Sequence, residues 1–233
     1  MAAQVRRFAA GLGEASRAYK ETWDRCVHIE LQKVPSTTTP KDIRRALGHA
    51  RLQGVSDVAI IYRGFRPTNR ALLTLVHNSY LRQNLKALEK LTLVGLPIDS
   101  EPVLLSSSEA QESQARQRGS KGRTDAAERG AVTGDGPNGG VPNNGKNVVV
   151  WGLPLRIHSD IFRELLTGFK LAELDQGPDI MRVHSEEDSK VSKWLIHMKS
   201  ESEAHRLVRR LNLRHFQPER HGSDFMMRAN IIY

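Results

Sequence analysis

The chain has a single cysteine, Cys26, among its 233 residues. One thiol excludes an internal disulfide framework and any zinc site built on cysteine pairs, and it suits a reducing compartment. Long apolar runs are lacking too: none approaches the ~18–20 residues that a membrane-crossing helix needs. No Asn-x-Ser/Thr acceptor occurs, so nothing speaks for secretion. Catalytic signatures are missing as well. There is no nucleophile elbow, phosphate-binding loop or HExxH, and the nine histidines show no metal-ligand spacing. The expectation is a non-enzymatic chain with no cofactor and no bound metal.

What the chain does have is positive charge. It carries 35 Lys+Arg against 26 Asp+Glu, a net +9, and its pI is near 9.9. That balance points to an anionic partner, nucleic acid before a membrane surface. Hydrophobic content of 39% and charged content of 26% describe a largely globular protein with room for disorder. The length suits one large domain or two small ones.

Residues 1–13 include Arg6 and Arg7 and no acid. Val5, Phe8, Ala9 and Leu12 fall at helical spacing, so a helix here has a basic face opposite an apolar one. Two readings stand side by side: a mitochondrial transit peptide within residues 1–25, or an ordinary leading helix. The first reading places the protein in the mitochondrion; nucleus or cytoplasm is the alternative.

Residues 26–105 spell a β-α-β-β-α-β order. Val27, Ile29 and Leu31 alternate with His28, Glu30 and Gln32, as in a half-buried strand. Thr39-Pro40-Lys41-Asp42 opens a helix with an apolar stripe of Ile43, Ala46, Leu47 and Ala50. Val55 to Tyr62 forms the second strand, residues 63–70 a loop, and Ala71 to Val76 the third strand. Asn78 or Ser79 then caps a helix that buries Leu81, Leu85 and Leu88. The last strand lies either in 91–98 or in 102–105. Eleven basic and six acidic residues give this stretch a net +5.

Residues 106–146 hold eight glycines, and Val132 and Val141 are their only sizeable apolar residues. Such a segment buries too little surface to offset the entropy of ordering it, so a flexible tether is expected. Gly134-Asp135-Gly136-Pro137-Asn138-Gly139 matches a dinucleotide fingerprint in form only, since no strand precedes it and no helix follows.

Residues 147–233 repeat the order. Val148 to Leu153 is an apolar, β-branched strand. Ser159 caps a helix that buries Ile161, Phe162, Leu165, Leu166 and Phe169. Asp179 to His184 is the second strand. Ser192 to Met198 is the third, with Trp194, Ile196 and Met198 on one side and Lys193, Leu195 and His197 on the other. Glu201 to Leu211 is a helix, and Phe225 to Ile232 closes the sheet. Thirteen basic and twelve acidic residues leave a net +1 here, with Arg206, Arg209, Arg210 and Arg214 gathered on and after the last helix.

Two stretches carry a resemblance to a known family. Val148-Val149-Val150-Trp151-Gly152-Leu153-Pro154 resembles the first-strand hexamer of the RNA recognition motif (RRM). Leu195-Ile196-His197-Met198-Lys199-Ser200-Glu201-Ser202-Glu203-Ala204 resembles its third strand running into the second helix, and Phe225 to Ala229 is similar to the fourth strand. The likeness covers about 85 residues and extends to 26–105 only as an order of elements. It implies an α+β fold: two ferredoxin-like, RRM-like sandwiches joined by the flexible tether. It implies single-stranded RNA as partner, stacked on aromatics of the two central strands. The family's outward aromatic places fall here on Val149, Lys193 and Leu195, and on Glu30 in the first half. A protein-interaction or ribonucleoprotein scaffold is therefore the alternative function.

The candidate RNA-binding residues follow. Trp151 shares a face with Val149, and either offers a stacking surface or packs under a loop. Arg182, Lys193, Leu195, His197 and Arg228 are placed on or near the same face, the charged ones either touching phosphates or solvated. Arg63, Phe65, Arg66 and Arg70 form a basic loop with one aromatic, the best candidate in the first half.

Overall fold

The computed structural model describes residues 26–104, 134–141, 145–173, 179–183 and 189–233. The expected N-terminal helix, most of the tether and much of the acidic loop after the second strand of 147–233 lie outside them. The chain divides into two compact units, residues 1–60 with 68–112 and residues 61–67 with 113–233.

The first unit is built on β1 (His28–Gln32), α1 (Pro40–His49), β2 (Val55–Arg63) and β3 (Arg66–Leu75) apart from their hairpin end at 61–67, which groups with the second unit, α2 (Leu81–Leu88), a small hairpin of β4 (Thr92–Leu93) and β5 (Leu96–Pro97), and β6 (Asp99–Val103). Its strands lie in the order β6-β1-β3-β2. Thr39 starts α1 with a reciprocal capping box: its side chain accepts from Asp42 N while Asp42 accepts from Thr39 N. Those Thr39 donors hold the Asp42 carboxyl below its usual range. Ile29 pairs with Leu73 and Leu31 with Ala71. All four are fully buried, as are Ile43 of α1 and Leu88 of α2. Asn84, also buried, ties α2 to the entry of β2: its amide donates to Gln53 O at 2.8 Å and accepts from Gln53 N at 3.1 Å.

Two expectations for this unit change. The final sheet strand is β6, and residues 92–97 make a separate hairpin. Residues 63–70 are not a loop: β2 and β3 continue to a two-residue turn at Gly64 and Phe65, both with positive φ. That is the backbone of the hairpin turns whose twist matches the flanking strands. The residues around it are polar or turn-forming, and this hid the strand ends.

The second unit adds β7 (Gly136–Pro137), β8 (Asn147–Pro154), α3 (Ser159–Leu165), β9 (Ile180–Val183), β10 (Val191–His197), α4 (Glu201–Leu211), β11 (Arg214–His215), α5 (Pro218–His221) and β12 (Met226–Ile232). Its sheet runs β11-β12-β8-β10-β9. Val148, Val150, Leu153, Phe162, Trp194 and Ile196 belong to one core with Leu207 and Leu211 of α4. The Phe162 and Trp194 rings lie 5.1 Å apart, and the buried indole N–H is satisfied by Ser192 Oγ at 3.0 Å. Gly152 makes the bulge that sends Trp151 outward and Leu153 inward. At φ +91°, a Cβ there would stand 2.1 Å from Met226 O, so no other residue fits without moving a strand.

Here too the structure departs from expectation. Ile161 is 40% exposed, because α3 is short and turns Phe162 inward. The helix also begins one residue earlier than a Ser159 cap implies, with His158 as N-cap. Within the expected tether, residues 136 and 137 form β7 against Tyr62 and Ile61. Hydrogen bonding to an available strand end orders a segment that has little apolar surface of its own.

Candidate nucleic-acid interface

The antiparallel register of the second unit assigns each candidate to a face. Lys193 and Arg228 both pair with Trp151, so the three lie in one row across β10, β8 and β12. All point away from the helices. Trp151 and Lys193 are half-buried and Arg228 is exposed. Arg66, at the start of β3 and grouped with this unit, places its guanidinium carbon 5.7 Å from the Trp151 ring centroid, within cation–π range. Lys193 Nζ donates to Gly64 O at 3.4 Å. Among the described residues none of Arg66, Lys193 and Arg228 has a carboxylate partner. The result is one indole ringed by three cations.

Other candidates fall out of the site. Val149 and Leu195 are outward but fully buried, with 0% exposure each. Residues with no accessible surface contact no RNA base. His197 is outward and buried, its Nδ1 2.6 Å from Asn147 Oδ1. Burial pushes its imidazole below the usual value, against a raising effect of Asp179, so it presents no cation to a phosphate. Arg182 is on the opposite face, because it pairs with the inward Trp194; its guanidinium donates to Leu155 O at 2.6 Å. Four-residue β9 enters the sheet one step out of the phase assumed for it.

The hairpin candidates also divide. Arg63 and Arg66 are exposed. Phe65 is 1% exposed and therefore offers no stacking surface. Its N–H donates to Gly134 O at 2.9 Å. Arg70 forms a two-pronged ion pair with Glu30 across β3 and β1, which raises the Arg70 pKa. Its donors are committed to a carboxylate whose side chain is only 5% exposed.

Two features of this surface went unflagged by sequence. In the first unit Glu101 of β6 pairs directly with Glu30, and its carboxylate accepts from the Gln32 amide. The outward side of that sheet therefore sets two carboxylates side by side, Glu101 exposed and Glu30 buried against Arg70. In the second, segment 134–141 meets the hairpin turn. Its run of glycine, asparagine and proline has no periodicity that signals a contact.

No family model matches the chain, and no curated protein matches it. Solved structures do. The two RNA recognition domains of Sex-lethal from Drosophila melanogaster match with TM-score 0.30 and 8% identity over 88% of this chain and 99% of that one. The three N-terminal RNA-binding domains of the yeast splicing factor Prp24 match with TM-score 0.29 and 12% identity over 89% and 66%. A complex of two RRM domains matches with TM-score 0.29 and 9% identity over 39% and 88%. With two helices on one side of a sheet whose last strand lies beside the first, each half of the chain has the RRM-like α+β fold.

Proposed function

We propose that the chain is a non-catalytic RNA-binding protein whose second unit takes single-stranded RNA on the row Lys193–Trp151–Arg228. The observation that carries this is the half-exposed indole with cations on both register neighbours and Arg66 beside its ring. A base stacks on the indole, a contact worth ~1–3 kcal/mol, and the cations take the flanking phosphates. The net +9 of the chain favours the same partner. We place its work in RNA metabolism or translation, in the mitochondrion, on the basic, acid-free residues 1–13.

The test is fluorescence anisotropy of the full chain with a labelled mixed-sequence single-stranded RNA pool, at low and near-physiological salt. Trp151→Ala is expected to weaken binding roughly 5- to 150-fold at either salt, the span of one lost stack. Binding that vanishes with salt and ignores Trp151 rejects the reading. A green-fluorescent fusion that stays in the cytosol with residues 1–25 intact rejects the mitochondrial placement.

A second reading has its own observation. Val149, Leu195, His197 and Phe65, all placed as RNA contacts by sequence, are buried in protein. With those positions given over to packing within the chain, the sheet keeps little base-stacking surface, which favours a protein-interaction or scaffold role in a ribonucleoprotein. Loss of a protein partner on Trp151→Ala, with RNA affinity unchanged, selects this reading.

A further inference from the structure

The stretch Gly134–Val141 has the form of a dinucleotide loop and the surroundings of something else. Gly134 lies flat on the Phe65 ring: a Cβ on it would stand 2.3 Å from a ring carbon, and its φ is +80°. Gly139 faces the same ring, where a Cβ would stand 3.5 Å from Phe65 Cδ1 and 3.7 Å from Ile232 Cγ2 of β12. Three links, two through backbone and one through a side chain, join the segment to the turn and the end of β2. Phe65 N–H donates to Gly134 O at 2.9 Å. Gly64 N–H donates to the Asp135 carboxylate at 2.8 Å. Gly136 and Pro137 pair with Tyr62 and Ile61. All these residues belong to the second unit.

The turn held this way is the one that reaches the tryptophan row. Gly64 offers its carbonyl to Lys193 Nζ, and Arg66 lies beside Trp151. Gly64 and Phe65 both have positive φ, a conformation that a phenylalanine seldom adopts unaided. The hold on the Phe65 ring and N–H supports that conformation in the residue immediately before Arg66.

We infer that Gly134 and Asp135 are positioning residues that clamp the Gly64–Phe65 turn and thereby set Arg66 as the third cation of a composite single-strand RNA site around Trp151. The inference rests on the RNA reading of Trp151. The clamp needs glycine at 134 because the phenyl ring occupies the space of any side chain, and it needs an acceptor at 135. Neither residue touches RNA. Arg66 stays exposed at the rim of the indole, so its guanidinium is open to a phosphate.

The experiment compares full-length Gly134→Ala, Asp135→Ala, Arg66→Ala and Trp151→Ala in two measurements. The first is affinity for the labelled single-stranded RNA pool as a function of salt. Gly134→Ala and Asp135→Ala are expected to weaken binding as much as Arg66→Ala, several-fold, and to lower the salt slope by ~0.7, one phosphate contact. The double variant Gly134→Ala/Arg66→Ala is expected to bind like either single one. Wild-type or tighter binding by both Gly134→Ala and Asp135→Ala overturns the inference. The second measurement is amide hydrogen exchange. Protection at Gly64 and Phe65 is expected to fall in both clamp variants while β8 and β10 stay protected, which separates release of the turn from loss of fold. Unchanged protection at Phe65 overturns the clamp. If Trp151→Ala binds RNA as wild type does, the RNA reading fails by itself, and the exchange data still decide whether the clamp exists.

Discussion

The same β-α-β-β-α-β order carries opposite chemistry on its two sheets. At the centre of the first, Glu30 and Glu101 sit side by side on β1 and β6, and Arg70 is spent on Glu30. A phosphate approaching that surface meets the exposed Glu101 carboxylate and an arginine already committed to the buried Glu30. In the second, the place that matches Glu30 holds the buried Val149, and two residues further along the same strand Trp151 lies between Lys193 and Arg228. A phosphate there meets cations that have no carboxylate partner among the described residues, beside an aromatic ring. Shared architecture thus says little about which sheet suits a phosphate; the two differ in the charge of the outward residues around their first strands.

The most disruptive way to break the comparison is to remove the core beneath one sheet only. Phe162 is fully buried against Trp194, and Phe162→Ala is expected to cost about 3–5 kcal/mol. Hydrogen exchange should then show β8 and β10 deprotected and β1 and β3 unchanged. Equal loss in both units would show that they do not fold separately.

A smaller effect tests the first sheet. Arg70→Ala leaves Glu30 with its side chain 5% exposed and no counter-charge. Arg70 itself is half solvent-exposed, so the loss is expected at about 1–3 kcal/mol, below that of a fully buried pair. Glu30→Leu combined with Arg70→Leu should recover most of it, as apolar replacement of both partners usually does. RNA affinity should not change with either variant. A drop would assign a binding role to the first sheet and erase the contrast.

The smallest effect is a pH dependence to which each sheet contributes one histidine, since burial lowers His28 of β1 as well as His197. His197 is held below its ordinary value of 6.5 by burial. The unfolded chain therefore binds more protons than the folded one beneath that value. Stability from neutral His197 is complete above about pH 6.5 and declines as pH falls through the window below it. Thermal midpoints measured from pH 7.5 to 5 should show this decline, and His197→Gln should reduce it to the share that His28 contributes. A slope unchanged by the substitution would point to another group.

Much of this was legible in the chain. Period-two alternation located β1 and β10 and sorted Trp194 and Ile196 from Lys193 and Leu195. The Thr39-Pro40-x-Asp42 cap and the stripe through Ala204, Leu207 and Leu211 located α1 and α4 with their buried sides. These signals are local, carried by neighbours within one or two turns of chain. Other features were not legible, for one shared reason. Phase in a short strand such as β9 depends on where it meets its partner, so Arg182 was placed on the wrong face. The burial of Val149, Leu195 and Phe65, and the pairing of Arg70 with Glu30, arise from residues distant in sequence.

The sequence by itself determined the element order, the inward-facing core and the excess of positive charge, because hydrophobic period, capping chemistry and composition are written into consecutive residues. Only the tertiary structure decided which outward residues are free to act. It joined Lys193, Trp151 and Arg228 into one row and brought Arg66 to that row. It also turned a glycine-rich segment into a seat for Phe65. Register and long-range contact set those outcomes, and neither has a local signature.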